Sequence, residues 1–401
     1  MASETSTRKD RARKDFKERA GSFRRISAGD EPFLAFHPNP LPPHPPLILD
    51  DATERLLDRA NQALGRLDGI TLLLPDPDSF IYSYVRKEAV LSSQIEGTQS
   101  SLSDLLLSEQ GAAPGVPPED ITVTSNYVAA MSHGLKRLEE GFPLSLRLVR
   151  EMHGILLKGA RGADKDPGEF RRTQNWIGGT RPGNARYVPP PVTEVLPAMG
   201  ALEKFLHNDP VETRPLLKAA LAHAQFETIH PFLDGNGRIG RLLITLILCV
   251  EGALERPLLY LSLYLKRHRD LYYEHLQRVR VEGDWESWIR FFLEAVISVA
   301  GEATTTTQKI VRLIEGDRQR IMALGRATGT ALAVYEHATR RVLLTVTGLA
   351  PVLGMTEPPI YKAVKNLEEL GILVEVTGLQ RNRIYSYEGY LALLLGEPDS
   401  A

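Results

Sequence analysis

The sequence predicts a mainly α protein: an all-helical domain with a small β-hairpin flap, followed by a C-terminal winged helix-turn-helix. Three observations carry this. Through most of the chain apolar residues recur at the three and four spacing of a helix face. Between residues 168 and 191 the texture changes to two short extended runs around a glycine-containing turn, which is hairpin chemistry. Toward the end the order is helix, turn, helix and then two strands around a basic turn, the order of a winged helix.

Residues 1–30 hold nine Lys/Arg against five Asp/Glu, with Phe16, Phe23 and Ile26 the only bulky apolar side chains beyond Met1. So little apolar surface does not offset ordering entropy, and a flexible tail over residues 1–34 is expected. Its basic excess is that of a solvated arm, or of one that touches RNA or a partner. The proline-dense stretch 37–46 follows an extended path, as a strap on the domain or a ligand for a proline-binding module.

Helices start at Asp50 and Asp51, good N-cap residues, with Leu56, Leu57, Ala60, Leu64 and Leu67 on one face. A second runs from about residue 78 through Tyr82, Val85, Ala89 and Ile95, and Gly97 ends it without steric cost. Ser92 and Glu96 lie four apart in its last turns, on one face. A third helix, 102–107, packs back on this pair, and 125–158 and 192–206 are again helical.

The hairpin lies between them, in Gly168-Glu-Phe-Arg171 through Trp176, Gly178, Gly179, Arg186 and Pro191. Within a helical domain it is either a surface flap with no partner or an open edge on which an extended peptide docks. Helix 213–228 delivers His230, and helix 239–250, apolar on nearly every face, is expected at the centre of the domain. In the helical segment 260–299, Tyr264, Tyr272, Tyr273, Trp285 and Trp288 either pack the core or stack on a purine.

A helical connection, 301–330, leads to the winged helix, 331–401, where Pro358 and Pro359 suit the first turn of the recognition helix. Lys362, Lys365, Arg381 and Arg383 are its candidate DNA contacts, diluted by Glu368 and Glu369, and the same fold serves as a protein-docking or dimerising module.

Composition narrows the function classes. A chain of 401 residues exceeds one ordinary core. A formal net charge of -2 gives no global attraction to nucleic acid or anionic membrane. The single cysteine, Cys249, excludes an intramolecular disulfide and a thiolate cluster, reads as a small core residue and fits a reducing, cytoplasmic setting. No segment reaches the ~20 apolar residues of a membrane span, and the N-terminus lacks the apolar core of a secretory signal.

The chemistry concentrates in residues 230–241, His-Pro-Phe-Leu-Asp-Gly-Asn-Gly-Arg-Ile-Gly-Arg. A plain turn needs one or two of these residues; a polyphosphate site uses them all. Gly235, Gly237 and Gly240 let backbone approach phosphate, and Asn236 donates from its side chain. Arg238 and Arg241, three apart, both face the charge at a helix N-terminus. Asp234, the only carboxylate in the loop, is the natural ligand for Mg²⁺. His230, with an ordinary pKa of about 6.5, takes the proton of a hydroxyl attacking phosphorus.

These residues resemble the signature of the Fic family, His-Pro-Phe-x-(Asp/Glu)-Gly-Asn-Gly-Arg-x-x-Arg, and match every specified position. The resemblance covers roughly residues 35–300, and more loosely the winged-helix tail. It implies transfer of AMP from ATP to a Ser, Thr or Tyr hydroxyl of a target protein. His230 is then the base, Asp234 the Mg²⁺ ligand, the 235–237 backbone the anion hole, and Arg241 the γ-phosphate partner. Ser92, Glu96 and Gly97 resemble the family's inhibitory motif, (Ser/Thr)-x-x-x-Glu-(Gly/Asn), in which the glutamate competes with phosphate for the second signature arginine, here Arg241. This resembles the class with the inhibitory helix upstream (class II).

The hairpin at 175–188 resembles the flap that clamps target main chain. Expected partners are thus a target protein at 175–188, DNA or protein at the winged helix, and a second copy of the chain; none is a membrane. The implied domains are 35–120 with the inhibitory helix, 121–300 as the Fic core, and the two C-terminal segments above. Phosphate transfer, removal of AMP from a target, and a DNA-binding regulator that senses nucleotide are the alternatives; Gly235 and Gly237 argue against the phosphate-transferring branch, whose loop departs at the anion-hole glycines.

Overall fold

The computed structural model describes residues 16–28, 31–71, 76–112 and 115–396. Its elements begin with β1 (Gly21–Ala28), β2 (Glu31–Pro38), α1 (Asp51–Thr71), α2 (Pro77–Ile95), α3 (Leu102–Glu109), α4 (Pro118–Glu139) and α5 (Leu146–Leu156). Next come α6 (Val192–Leu206), α7 (Pro215–Ile229), α8 (Asn236–Val250), α9 (Ser262–Arg267), α10 (Arg269–Glu282) and α11 (Trp285–Met322). Last are α12 (Thr328–Arg341), β3 (Leu343–Thr345), α13 (Val346–Leu353), α14 (Glu357–Glu369), β4 (Leu373–Glu375), β5 (Ile384–Tyr387) and α15 (Glu388–Leu395). The expected mainly helical fold is present, and no helix among the described residues is long and apolar enough to cross a membrane.

The chain divides into two compact units, Met1–Leu64 with Asn126–Val299, and Gly65–Ser125 with Ala300–Ala401. This differs from the linear division expected: segment 65–125 groups with the C-terminal residues, so 331–401 is not a unit by itself. Nor is 301–330 a separate connection, since α11 runs unbroken from Trp285 to Met322.

In the first unit, β1 and β2 pair antiparallel with Phe23 opposite Phe36 and Ile26 opposite Phe33. The flexible tail expected over 1–34 is therefore corrected from Gly21 onward, while residues 1–15 lie outside the described residues. The physical reason is cross-strand burial. Few residues of β1 are apolar, but Phe33 and Ala35 of β2 are buried with Val188 and Ile26, and Phe36 packs against Phe23 at 5.0 Å. The proline strap follows without regular structure, and its Asn39 carbonyl accepts the Gln225 side-chain amide at 2.9 Å. Asp50 caps α1 as expected, its Oδ1 accepting the Thr53 N–H at 2.9 Å, and Leu57, Ala60, Leu64 and Leu67 are buried along one face.

The centre of this unit is a pair rather than one helix. Residues 216–229 of α7 are all buried, and α8 is buried from Ile239 through Leu248. Ala219, Ala220, Ala222 and Ala224 keep α7 narrow, so neighbours close on it from every side. Each fully buried leucine here contributes roughly 2 kcal/mol. Of the aromatics, Tyr272, Trp285 and Trp288 are core residues, the Trp288 indole donating to the Ala220 carbonyl at 2.9 Å.

In the second unit, Ser101 and Asp104 form a capping box at the start of α3, and Glu109 at its end accepts Arg86 Nε of α2 at 2.8 Å. The strands β3, β5 and β4 form an antiparallel sheet in that order; β3 lies between α12 and α13, and β4 and β5 follow the α13–α14 pair. Pro358 and Pro359 occupy the first turn of α14. The unit closes through Tyr387, whose hydroxyl donates to Asp317 Oδ2 at 2.8 Å and meets the Tyr335 hydroxyl at 3.2 Å. Arg341 of α12 lies over the Tyr82 ring of α2 at 4.7 Å, which ties α2 to the C-terminal segment.

Candidate active site

Helix α7 ends at His230, which adopts the left-handed conformation (φ 49, ψ 60) while its N–H still reaches the Phe226 carbonyl at 2.9 Å. A non-glycine residue there costs about 1 kcal/mol and is held by its surroundings. Here the holding is explicit. The His230 carbonyl accepts Arg171 Nε at 3.0 Å and Asn175 Nδ2 at 3.1 Å. The His230 ring sits half-buried, with Nδ1 3.8 Å from Glu227 Oε2.

After Pro231 the loop is fastened by Asn236. Its Oδ1 accepts the Phe232 N–H at 2.9 Å and its Nδ2 donates to the Phe232 carbonyl at 2.8 Å. Gly235 then turns the chain at φ 76, where a Cβ would meet Leu156 at 3.2 Å, and α8 begins at Asn236 rather than at 239. Asn236, Gly237 and Arg238 thus form a helical first turn, whose backbone N–H groups have no intrahelical acceptor and suit an anion.

Two expected roles change. The Asn236 side chain braces Phe232 through its Oδ1 and one hydrogen of its Nδ2, rather than standing as a donor turned wholly outward. Gly240 is a packing glycine: a Cβ there would stand 2.7 Å from Glu227 Oε1 and 3.3 Å from the His223 ring of α7. Its carbonyl accepts His223 Nδ1–H at 2.9 Å, and the opposite nitrogen, Nε2, meets the Tyr272 hydroxyl at 2.9 Å. Burial pushes His223 down to about 4, so its ring is neutral at physiological pH.

Arg238 and Arg241 are both buried on α8, and Arg238 Nη2 donates to Asp234 Oδ1 at 3.2 Å. The same Oδ1 accepts the Gly235 N–H at 2.5 Å. Oδ2 faces Gly162, where a Cβ would lie 2.6 Å from it at a backbone φ of +88. A half-exposed carboxylate with one oxygen turned from its donors fits a magnesium ion that keeps waters and phosphate oxygens. Among the described residues no group of three or more His, Cys, Asp or Glu is arranged to hold a metal by itself.

Sequence reasoning missed four supporting residues. His153 of α5 stacks on Phe232 at 3.7 Å, accepts the Gly168 N–H on Nδ1 at 2.9 Å, and donates Nε2–H to the Asp234 carbonyl at 3.0 Å. Burial pushes it down to about 4, which keeps that tautomer neutral. Arg171 is buried and also donates to the Pro190 carbonyl at 2.5 Å; Asn175 and Gly162 complete the set. Arg171 and Asn175 were in view as hairpin residues, but no spacing rule marks which hairpin side chain turns inward, and nothing local marks His153 or Gly162.

The flap is slighter than a full hairpin. Ile177 and Tyr187 form a single antiparallel bridge with hydrogen bonds of 2.8 and 3.1 Å, around a 3-10 turn at Pro182–Asn184. One side is already taken, since the Val188 carbonyl accepts the Phe36 N–H of β2 at 2.9 Å. Tyr187 is anchored below by its hydroxyl on the Thr228 carbonyl at 2.6 Å, and Trp176 is exposed.

Ser92, Glu96 and Gly97 belong to the second unit. Ser92 is buried in the last turns of α2, Glu96 is exposed just beyond Ile95 with its N–H on the Ser93 carbonyl at 3.0 Å, and Gly97 takes φ +99.

Comparison with known proteins matches this geometry. The Fic/DOC family N-terminal model matches residues 54–136 and the Fic/DOC family model residues 143–248, which include the whole 230–241 loop. The chain is 37% identical over 253 residues to Protein adenylyltransferase Fic of Culex quinquefasciatus, covering 61% of this chain and 46% of that protein. To the Aedes aegypti protein of the same name it is 29% identical over 253 residues, again 61% and 46% of the two chains. It thus spans less than half the length of these relatives. A Fic family protein from Desulfovibrio desulfuricans G20 shares the fold, with a TM-score of 0.56 and 21% identity over 85% of this chain and 97% of that one. The chain therefore carries a Fic/DOC N-terminal domain over residues 54–136 and a Fic domain over residues 143–248, the second containing the complete signature loop.

Proposed function

We propose that the chain is a protein adenylyltransferase, transferring AMP from ATP to a Ser, Thr or Tyr hydroxyl of a target protein. The observation that carries this is the corner between α7 and α8, where the His230 ring and the N-terminal turn of α8 at 236–238 flank one loop. The target hydroxyl oxygen bonds to the α-phosphorus, the bond to pyrophosphate breaks, and His230 Nε2 takes the hydroxyl proton. Backbone N–H groups of 235–237 hold the phosphate oxygens, and Arg238 and Arg241 supply positive charge. Asp234 would hold Mg²⁺, which offsets charge on the phosphates when bound. The relatives named for this activity support the reaction class.

Target main chain docks on the free side of the flap, beside Trp176. Glu96 is the inhibitory residue, competing with the γ-phosphate for Arg241; the spacing of Ser92, Glu96 and Gly97 supports this. A single cysteine supports a cytoplasmic setting. The second unit is a contact module: Lys362, Lys365, Arg381 and Arg383 are all exposed. Retention on DNA that falls with salt and is lost when these four become alanine assigns it to DNA, and salt-independent behaviour assigns it to protein.

The deciding measurement is intact mass of the Glu96→Gly protein after incubation with ATP and Mg²⁺. A gain of one AMP, larger than in the wild type and absent when His230→Ala is added, is the expected result. A gain of one phosphate overturns the reaction, and no difference between Glu96→Gly and wild type overturns the inhibition.

A further inference from the structure

We infer that Asn175, the first residue of the flap, is a positioning residue that ties the base to the anion-binding turn. The inference rests on the adenylyl-transfer reading above. Its Nδ2 carries two hydrogens, and both are used: one on the His230 carbonyl at 3.1 Å, the other on the Phe232 carbonyl at 2.9 Å. Those carbonyls flank Pro231, which has no N–H of its own, so this corner lacks the backbone donor that would otherwise brace it.

From Phe232 the chain of contacts continues. The same carbonyl accepts Asn236 Nδ2 at 2.8 Å, and Asn236 opens α8. One amide therefore spans from the residue that takes the proton to the turn that holds the phosphate. Arg171 gives the His230 carbonyl its second donor and its own N–H donates to the Pro231 carbonyl at 2.8 Å, but it reaches neither Phe232 nor α8; its other side-chain bonds go to Thr173 and Pro190.

The position of Asn175 in the flap adds a consequence. Ile177, two residues on, spends its N–H and carbonyl on Tyr187, and β2 occupies the far side of the flap through Val188. A target strand is left with the side that begins at Trp176, directly after Asn175. Docking of the target and placement of His230 thus meet in adjacent residues.

The test compares Asn175→Asp and Asn175→Ala in the full-length Glu96→Gly protein. Aspartate keeps the shape, but its ionised carboxylate has no hydrogen to donate. With ATP and Mg²⁺, kcat for AMP transfer is expected to fall about 10- to 100-fold, with KM for ATP unchanged, because misplacement of the base affects the chemical step. Histidine-selective ¹³C labelling supplies a readout independent of turnover: the His230 resonance moves away from its left-handed position while that of His223 stays. An unchanged kcat, or a His230 resonance that does not move, overturns the inference. Should the parent Glu96→Gly protein transfer no AMP, the reaction reading fails, and the His230 resonance alone then decides the positioning.

Discussion

Asn236 holds Phe232 through both halves of one side-chain amide, accepting its N–H at 2.9 Å and donating to its carbonyl at 2.8 Å. This closes the loop between α7 and α8, so the first turn of α8 is braced by the chain's own groups. By its residue chemistry alone this asparagine reads as a side-chain donor to an anion; in the fold its side chain is a brace.

Asn236→Ala is therefore expected to destabilise the protein by about 1–3 kcal/mol, since it leaves a buried N–H unpaired. Urea unfolding measures this. A variant of wild-type stability with weakened ATP binding would show instead that the amide serves the nucleotide.

Gly240→Ala places a methyl 2.7 Å from Glu227 Oε1 and 3.3 Å from His223. Separating α7 from α8 is expected to cost about 1–3 kcal/mol and lower the melting temperature. Unaltered melting with a raised KM for ATP would return Gly240 to the phosphate site.

At Gly162 an added Cβ meets Asp234 Oδ2 at 2.6 Å, and the backbone φ of +88 disfavours any other residue. Gly162→Ala is expected to displace the carboxylate and raise the Mg²⁺ concentration for half-maximal AMP transfer by about tenfold. An identical Mg²⁺ titration would remove Asp234 Oδ2 from the metal site.

His223 links stability to pH. Burial pushes it from 6.5 to about 4 in the folded protein, the Gly240 carbonyl opposing this and Arg241 and Arg280 adding to it. Between those values the unfolded chain binds more protons, so the contribution of His223 is full above 6.5 and is lost as pH falls toward 4. Urea unfolding at about pH 5 and about pH 7 is expected to show lower stability at the acid value. His223→Gln narrows that difference, whereas the buried-neutral assignment fails if the variant keeps it whole.

By itself the sequence determined the helical framework, because the three and four spacing of Leu57, Ala60, Leu64 and Leu67 is a local property of one element. It also determined the identity of the 230–241 loop, because its residues are contiguous and their chemistry is readable without a fold. Tertiary structure alone decided what those residues touch. It turned the Asn236 side chain onto Phe232, set Gly240 against Glu227, brought His153 to Asp234 from about eighty positions upstream, and made a strand of β1, whose own residues are too polar to announce one. It also grouped residues 65–125, with Ser92 and Glu96, into one unit with the C-terminal segment. In each case the deciding partner lies outside the element's own periodicity, where burial and hydrogen bonding are fixed by residues that spacing cannot reach.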